Sequence, residues 1–214
     1  MSDDLPDAAK TPRRSYPLKR PIDAAASALL LVLLSPFLLV IAGLLLGRHG
    51  RPIFFRQERP GLGGRPFSIL KFRTMREICA VDFHDDRSRL TRLGSVLRRT
   101  SLDELPELWN VLRGDMSLVG PRPLLPRYLP YYTERERLRH SVRPGITGWA
   151  QINGRNAVSW DERLAMDVWY VENLGPGLDL RILVTTVARV FGSTGVSVVP
   201  GETMRDLDVE RAGR

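Results

Sequence analysis

Cysteine is nearly absent from this chain. Cys79 is the only one in 214 residues, so no intrachain disulfide forms and a reducing compartment fits. Histidine is almost as scarce. His49, His84 and His140 stand far apart in sequence and make no zinc-binding spacing. The common catalytic signatures are missing as well: there is no phosphate-binding P-loop, no G-x-S-x-G nucleophile elbow and no H-E-x-x-H. Gly61-Leu62-Gly63 lacks the third glycine of a dinucleotide fingerprint and reads as a turn. Aromatic residues amount to 7 % and do not interleave with basic ones as a nucleic-acid stacking platform requires. The net charge of +8 therefore points to anionic lipid headgroups or phosphorylated substrates, and no nucleic acid is expected.

What is present begins with a charge-free apolar run, Ala24 to Leu46, interrupted by Ser35-Pro36. A straight helix of that length rises about 34 Å, enough to cross a hydrocarbon core of roughly 30 Å. Pro36 lacks a backbone donor and clashes with the preceding turn, so a kink is expected there, and Ser35 is placed to satisfy a backbone group that it frees. Each arm alone is about 18 Å at best, too short to span. Lys19 and Arg20 precede the run; Arg48 and Arg51 follow it. Basic residues favour the cytoplasmic side, and both ends carry them. Two topologies fit: a re-entrant hairpin with both ends on one side, and a single kinked helix that crosses. A cleaved signal peptide fits poorly, because the run exceeds the usual h-region.

The rest of the chain reads as α+β, mainly helical. Residues 1–18 form a disordered tail, 19–51 the membrane hairpin, 52–196 one catalytic domain and 197–214 a C-terminal tail. Residues 52–55 and 67–72 are strands of a small β-hairpin around a Pro60–Gly64 turn, and 77–87 are a polar loop. Residues 88–99 form a basic amphipathic helix with Leu90, Leu93 and Leu97 on one face, suited equally to the membrane interface and to the core. A second helix places Leu105, Leu108, Trp109 and Leu112 at core spacing. Residues 133–140 are a solvated charged helix, 143–156 a glycine-rich polar loop, and 160–174 a helix through Leu164, Val168 and Val171. On a last helix, capped by Asp179, Leu180, Leu183, Val184, Val187 and Phe191 share a face.

One stretch carries candidate chemistry. Asp103 and Glu104 are adjacent acids at a helix start. Ser101 with Glu104 reads as a capping box, while Pro106 favours a start nearer Asp103. Arg98 and Arg99 lie beside Asp103, so its carboxylate should stay ionised. Such a carboxylate either attacks phosphorus or holds Mg²⁺. Lys71, Arg73, Arg122, Arg143 and Arg155 are cations suited to a diphosphate.

The strings Lys19-Arg-Pro-Ile-Asp23, Arg59-Pro-Gly-Leu62, Lys71-Phe-Arg-Thr-Met75, Ser101-Leu-Asp-Glu104, Asn110-Val-Leu-Arg-Gly-Asp-Met-Ser117, Val119-Gly-Pro-Arg-Pro123 and Arg143-Pro-Gly-Ile-Thr-Gly-Trp-Ala-Gln151 resemble the bacterial sugar transferases, and more narrowly the monotopic phosphoglycosyl transferases. The resemblance runs from about Lys19 to Val196, with the motifs in matching order. The short length resembles the minimal members, of the diacetylbacillosamine-1-phosphate transferase type. It implies that a sugar-1-phosphate moves from a UDP-sugar to undecaprenyl phosphate with release of UMP, assisted by Mg²⁺. It implies Asp103 as nucleophile through a covalent phospho-sugar adduct and as metal ligand, with Glu104 as its dyad partner. Lys71, Arg98, Arg122, Arg143 and Arg155 are the substrate-binding candidates. It also implies the hairpin topology at Ser35-Pro36, a catalytic domain on the cytoplasmic face of the bacterial inner membrane, contact with membrane lipid, and downstream glycosyltransferases as further partners. The alternative is a non-enzymatic membrane scaffold for glycosylation enzymes. Which UDP-sugar is used, and the oligomeric state, are not readable from the sequence.

Overall fold

The computed structural model describes residues 14–75, 89–154, 158–191 and 206–212. Arg155, the 77–87 loop and most of both expected tails lie outside the described residues.

Helix α1 covers Lys19–His49 and contains Pro36. Helical hydrogen bonding is assigned on both sides of the proline, so α1 is one element of secondary structure. The backbone consequence of Pro36 is visible at Val32. Its carbonyl would accept from residue 36 in an unbroken helix, and the Ser35 hydroxyl donates to it instead, at 2.8 Å.

Strands β1 (Phe54–Pro60) and β2 (Pro66–Phe72) pair antiparallel as a hairpin, with Phe54 opposite Phe72 and Pro60 opposite Pro66. The first strand is longer than its hydrophobic pattern suggested. Helix α2 (Arg92–Arg99) is N-capped by Thr91, whose hydroxyl accepts from the Gly94 amide. A 3₁₀ turn, Leu102–Glu104, leads to α3 (Glu107–Arg113). On α3, Leu108 and Val111 are buried while Trp109 is half exposed, so Trp109 is not the core residue its spacing suggested.

Short strands β3 (Ser117–Val119) and β4 (Gly145–Thr147) pair in parallel, a contact that no sequence rhythm announced. Glycine is required at this crossing: a Cβ on Gly145 would lie 2.1 Å from the Gly120 nitrogen. The stretch read as a loop thus holds β4 and helix α5 (Trp149–Asn153). The stretch read as a solvated helix is one turn, α4 (Glu134–Arg137), followed by a 3₁₀ turn in which Arg139 and His140 are buried.

Helix α6 (Trp160–Glu172) begins with a capping box between Ser159 and Glu162 and buries Leu164, Val168 and Val171, as its periodicity indicated. Helix α7 (Pro176–Phe191) starts before Asp179. Its expected core face is inward only at Leu183, which packs against the core: Leu180, Val184 and Val187 are exposed, and Ile182 is the fully buried residue. Helix α8 (Leu207–Ala212) returns to the domain, with Leu207 fully buried and Arg211 bonded to Glu136 and Asp161.

The main core gathers Ile69, Val111, Met116, Val119, Tyr170 and Ile182 from β2, α3, β3, α6 and α7. Helix α1 is fastened to this domain near both of its ends. At the start, Lys19 pairs with Asp179 at 2.7 Å, Asp23 accepts from Ser117 at 2.6 Å, and Arg20 donates to the carbonyls of Val111 and Leu112 at the end of α3. At the finish, Ile41 and Leu45 pack with Phe72 and Leu97, and Arg73 donates to the carbonyls of His49 and Gly50. Between them Leu29, Val32, Leu33, Leu39 and Val40 are exposed.

The hairpin is tied to α3 through Asn110. Its Oδ1 accepts from the Leu70 amide at 3.0 Å and its Nδ2 donates to the Ser68 carbonyl at 2.8 Å, so a side-chain amide takes the place of a neighbouring strand. Asn110→Ala removes both bonds at a buried position and should destabilise the protein by about 2 kcal/mol. Thermal unfolding of the detergent-solubilised protein checks this, and an unchanged midpoint would refute it.

Candidate active site

Four segments converge at the start of α3. β2 supplies Lys71, the 3₁₀ turn supplies Asp103 and Glu104, α3 opens with Glu107, and the loop after β3 supplies Arg122. The turn is sharp because Ser101 sits in the left-handed region at φ 55°. That conformation also removes the expected capping box, since no Ser101 side-chain cap forms. Pro106 stands at the N-cap of α3, where its missing N–H costs nothing.

Glu104 is the hub. Its Oε1 receives Lys71 Nζ at 2.6 Å and the Arg122 guanidinium, and its Oε2 receives a second Arg122 nitrogen at 3.3 Å. Burial pushes its carboxyl up, but Arg122 and Lys71 outweigh this and hold it well below the ordinary range. Lys71 also meets Glu107 Oε1 at 3.1 Å, and the Glu107 side chain is 2 % exposed. There burial wins: with Glu104 adding to it against Lys71, the Glu107 carboxyl is raised to about 7. The Arg122 side chain keeps 43 % of its surface open.

Asp103 differs from both. It is 9 % exposed, yet among the described residues no hydrogen bond or ion pair reaches its carboxylate. Burial, then Glu104, raises it to about 6 against the pull of Lys71, Arg122 and Arg98. The arginines beside it in sequence are outweighed by desolvation, which raises the carboxyl to about 6 and so still leaves it ionised at neutral pH, as expected. Arg98 stands near enough to act on Asp103 electrostatically while its Nε donates to Thr74 Oγ1 at 2.9 Å.

The structure therefore brings Asp103, Glu104, Lys71, Arg98 and Arg122 together. Arg73 binds the end of α1, as described above. Arg143 donates to the Gly114 carbonyl at the far end of α3, at 2.9 Å, and so belongs to a different corner of the domain. Ser35 and Pro36 lie in the apolar middle of α1, apart from the cluster. Among the described residues no three His, Cys, Asp or Glu side chains form a metal cage.

Sequence reasoning missed Glu107 and the buried pair Arg139–Asp167. Arg139 bonds Asp167 at 2.7 Å and donates to the Arg122 carbonyl, also at 2.7 Å, fixing the loop that carries Arg122. A signal existed: Asp167 falls on the apolar stripe of Leu164, Val168 and Val171, where a carboxylate needs a partner. Glu107 gave only an i, i+3 spacing from Glu104.

A carboxylate cluster beneath phosphate-ready cations, on a domain fastened to one long apolar helix, describes a membrane-associated transferase in outline. The sequence places it more closely: residues 14–193 match the bacterial sugar transferase family, and the chain belongs to that family. It is similar to the sugar transferase EpsL of Bacillus subtilis (strain 168), 51 % identical over 84 % of this chain and 90 % of that protein. It is 40 % identical to the exopolysaccharide production protein ExoY of Sinorhizobium fredii (strain NBRC 101917 / NGR234), over 83 % of this chain and 87 % of that one. It is 42 % identical to a UDP-glucose:undecaprenyl-phosphate glucose-1-phosphate transferase of Xanthomonas campestris pv. campestris, over 79 % of this chain but 38 % of that longer protein.

The raised Asp103 carboxyl has a stability consequence. Its folded pKa of about 6 lies above the ordinary 3.8, so the fold favours its protonated form. The native state then loses stability as pH rises from about 4 to 6, by ~3 kcal/mol at most. In metal-free protein, Asp103→Asn should raise the unfolding midpoint at pH 7.5 by several degrees, and the gain should vanish below about pH 4. A variant less stable than the parent at pH 7.5 would refute this.

Proposed function

We propose that this protein transfers a sugar-1-phosphate from a UDP-sugar to undecaprenyl phosphate, releasing UMP, through a phospho-sugar adduct on Asp103. The observation that carries the reading is the contrast within the dyad. Glu104 is saturated by Lys71 and Arg122, whereas Asp103 is desolvated and unpartnered among the described residues. A carboxylate without a counter-ion is the better nucleophile, and its neighbour holds two cations where developing phosphate charge needs them. The names of the Xanthomonas and other relatives supply the substrates of this reading: UDP-glucose and undecaprenyl phosphate for several, UDP-galactose for the lipid carrier transferase of Erwinia amylovora.

The chemistry balances in two displacements. An Asp103 carboxylate oxygen attacks the sugar-bearing phosphorus, and the bond to the bridging oxygen breaks, so UMP leaves. An oxygen of undecaprenyl phosphate then attacks the phosphorus of the adduct, and Asp103 leaves as carboxylate. Arg122, open on one side, and Lys71 face the non-transferred charge; Arg98 flanks Asp103. The residues suit Mg²⁺ in one respect: this cation takes one or two carboxylates and fills its remaining positions with water and substrate phosphates. Asp103 is the carboxylate at hand, and the ion would supply neutralisation of the diphosphate.

The attachment of α1 near both ends to one domain supports the re-entrant hairpin, because a helix that crossed would carry one end away from that domain. Ser35 serving the Val32 carbonyl supports a tolerated break at Pro36. The open apolar residues of α1, with Leu180, Val184 and Val187 of α7, suit a lipid surface. In this reading the domain lies on the cytoplasmic face of the inner membrane, where UDP-sugars are available, and its lipid-linked product passes to downstream glycosyltransferases.

Incubation with Mg²⁺ and the correct UDP-sugar, without acceptor, should release UMP stoichiometrically and add one sugar phosphate to the protein mass. Asp103→Asn should abolish both while remaining folded. UMP release only with acceptor, with ternary-complex kinetics, would sink the adduct; no UMP with any UDP-sugar would leave the scaffold. For topology, single cysteines at the exposed Ser15 and Arg51, in a Cys79→Ser background, should both be protected from an impermeant reagent in sealed cells. Labelling of one end alone would show a crossing helix.

A further inference from the structure

Glu107 has no part in the displacements above, yet it is the most deeply buried acid of the cluster. Lys71 Nζ lies between Glu104 Oε1 at 2.6 Å and Glu107 Oε1 at 3.1 Å. Glu104 has a second cation, Arg122, on both of its oxygens. Among the described residues Lys71 is the only cation in contact with Glu107, with Arg122 and Arg59 acting from further off. The charged groups facing Glu107 are thus Lys71 from β2, Glu104 from the 3₁₀ turn, Arg122 from the loop after β3 and Arg59 from β1. Of two buried carboxylates that share one lysine, Glu107 is the less compensated.

A donor diphosphate brings further negative charge to Lys71 and Arg122. In a site of low effective dielectric, that excess is relieved most readily by protonating the least compensated carboxylate. We propose that Glu107 is a proton-linked positioning residue: ionised, it holds Lys71, and when the donor binds it takes up a proton from solvent and yields Lys71 to the diphosphate. This rests on the donor reading above. Only the carboxylate changes its protonation; the ammonium keeps its charge and changes partner. Glu107 titrates near neutrality, so the exchange falls within an accessible range. Below about pH 7 Glu107 already carries the proton, and donor affinity should be flat. Above it, affinity should fall up to tenfold per pH unit. His140, held neutral by burial with a pKa of about 3, does not contribute.

The test uses the full chain with Asp103→Asn, which binds donor without forming an adduct, in the presence of Mg²⁺. Calorimetry with UDP-glucose, UDP-galactose and UDP-N-acetylglucosamine, in buffers of different ionisation heat, reads both affinity and protons for whichever binds best. Uptake should approach one proton per donor at pH 8 and nearly vanish at pH 6. Adding Glu107→Gln should abolish the uptake, flatten the pH dependence and tighten binding roughly tenfold at pH 8. Binding without proton uptake in the Asp103→Asn parent, or a pH dependence that survives Glu107→Gln, overturns the inference alone. The parent's own proton count stands even where the double variant fails to fold. Failure of every UDP-sugar to bind this variant overturns the inference; if the unsubstituted chain also releases no UMP from any of them, the donor reading falls with it.

Discussion

A carboxylate largely removed from water, with no cation in direct contact among the described residues, is the constraint on which this site depends. Asp103 is kept in that condition because its neighbour takes the cations. Glu104 draws in both Lys71 and Arg122, so the same pair of residues that could neutralise Asp103 is committed to its neighbour. Desolvation of an acid opposes folding at neutral pH. The fold offsets it with ordinary means nearby: the Asn110 clamp on β2, the Gly145–Gly120 crossing, and the buried Arg139–Asp167 pair behind Arg122. A buried ion pair adds little net stability of its own, but breaking one is costly, which suits a part whose task is to hold a loop in place.

The second organising feature is the double attachment of α1. Polar contacts hold its start, where Lys19 and Asp23 meet Asp179 and Ser117, and backbone carbonyls hold its finish, where Arg73 reaches His49 and Gly50. The finish joins directly to the site: Phe72 and Leu97, which pack on Ile41 and Leu45, adjoin Lys71 and Arg98. The proposed placement of the domain at a lipid surface and the placement of the cations at the carboxylates therefore rest on the same packing. An acceptor too apolar to leave a bilayer requires that coupling.

The apolar faces of the helices illustrate how far periodicity reaches. On α6, apolar residues fall on one stripe, and the stripe read from the sequence is the one buried. On α7, apolar residues occur nearly all round, from Leu178 through Val190, so spacing alone leaves the buried side undetermined. Of the stripe chosen from spacing, Leu180, Val184 and Val187 face outward, while Leu183 packs against the core beside the fully buried Ile182. Trp109 misleads for a related reason: α3 is two turns long, and so short a helix buries only the side turned to α1, β2 and β3.

By itself the sequence determined what is local or compositional: an apolar stretch long enough for a membrane, the β-hairpin, the α6 stripe, and the adjacency of Asp103 and Glu104. These follow from backbone chemistry, periodicity and covalent order, none of which needs a distant partner. Only the tertiary structure decided the pairings that span the chain, Lys71 with Glu104 and Glu107, Arg122 with Glu104, Arg139 with Asp167, and Arg143 with a carbonyl remote from the site. It also decided how far the Asp103 carboxyl is raised. Arginines beside it in sequence suggested an ordinary ionised acid, but a carboxyl pKa depends on how much water packing removes, and packing is not written in nearest neighbours.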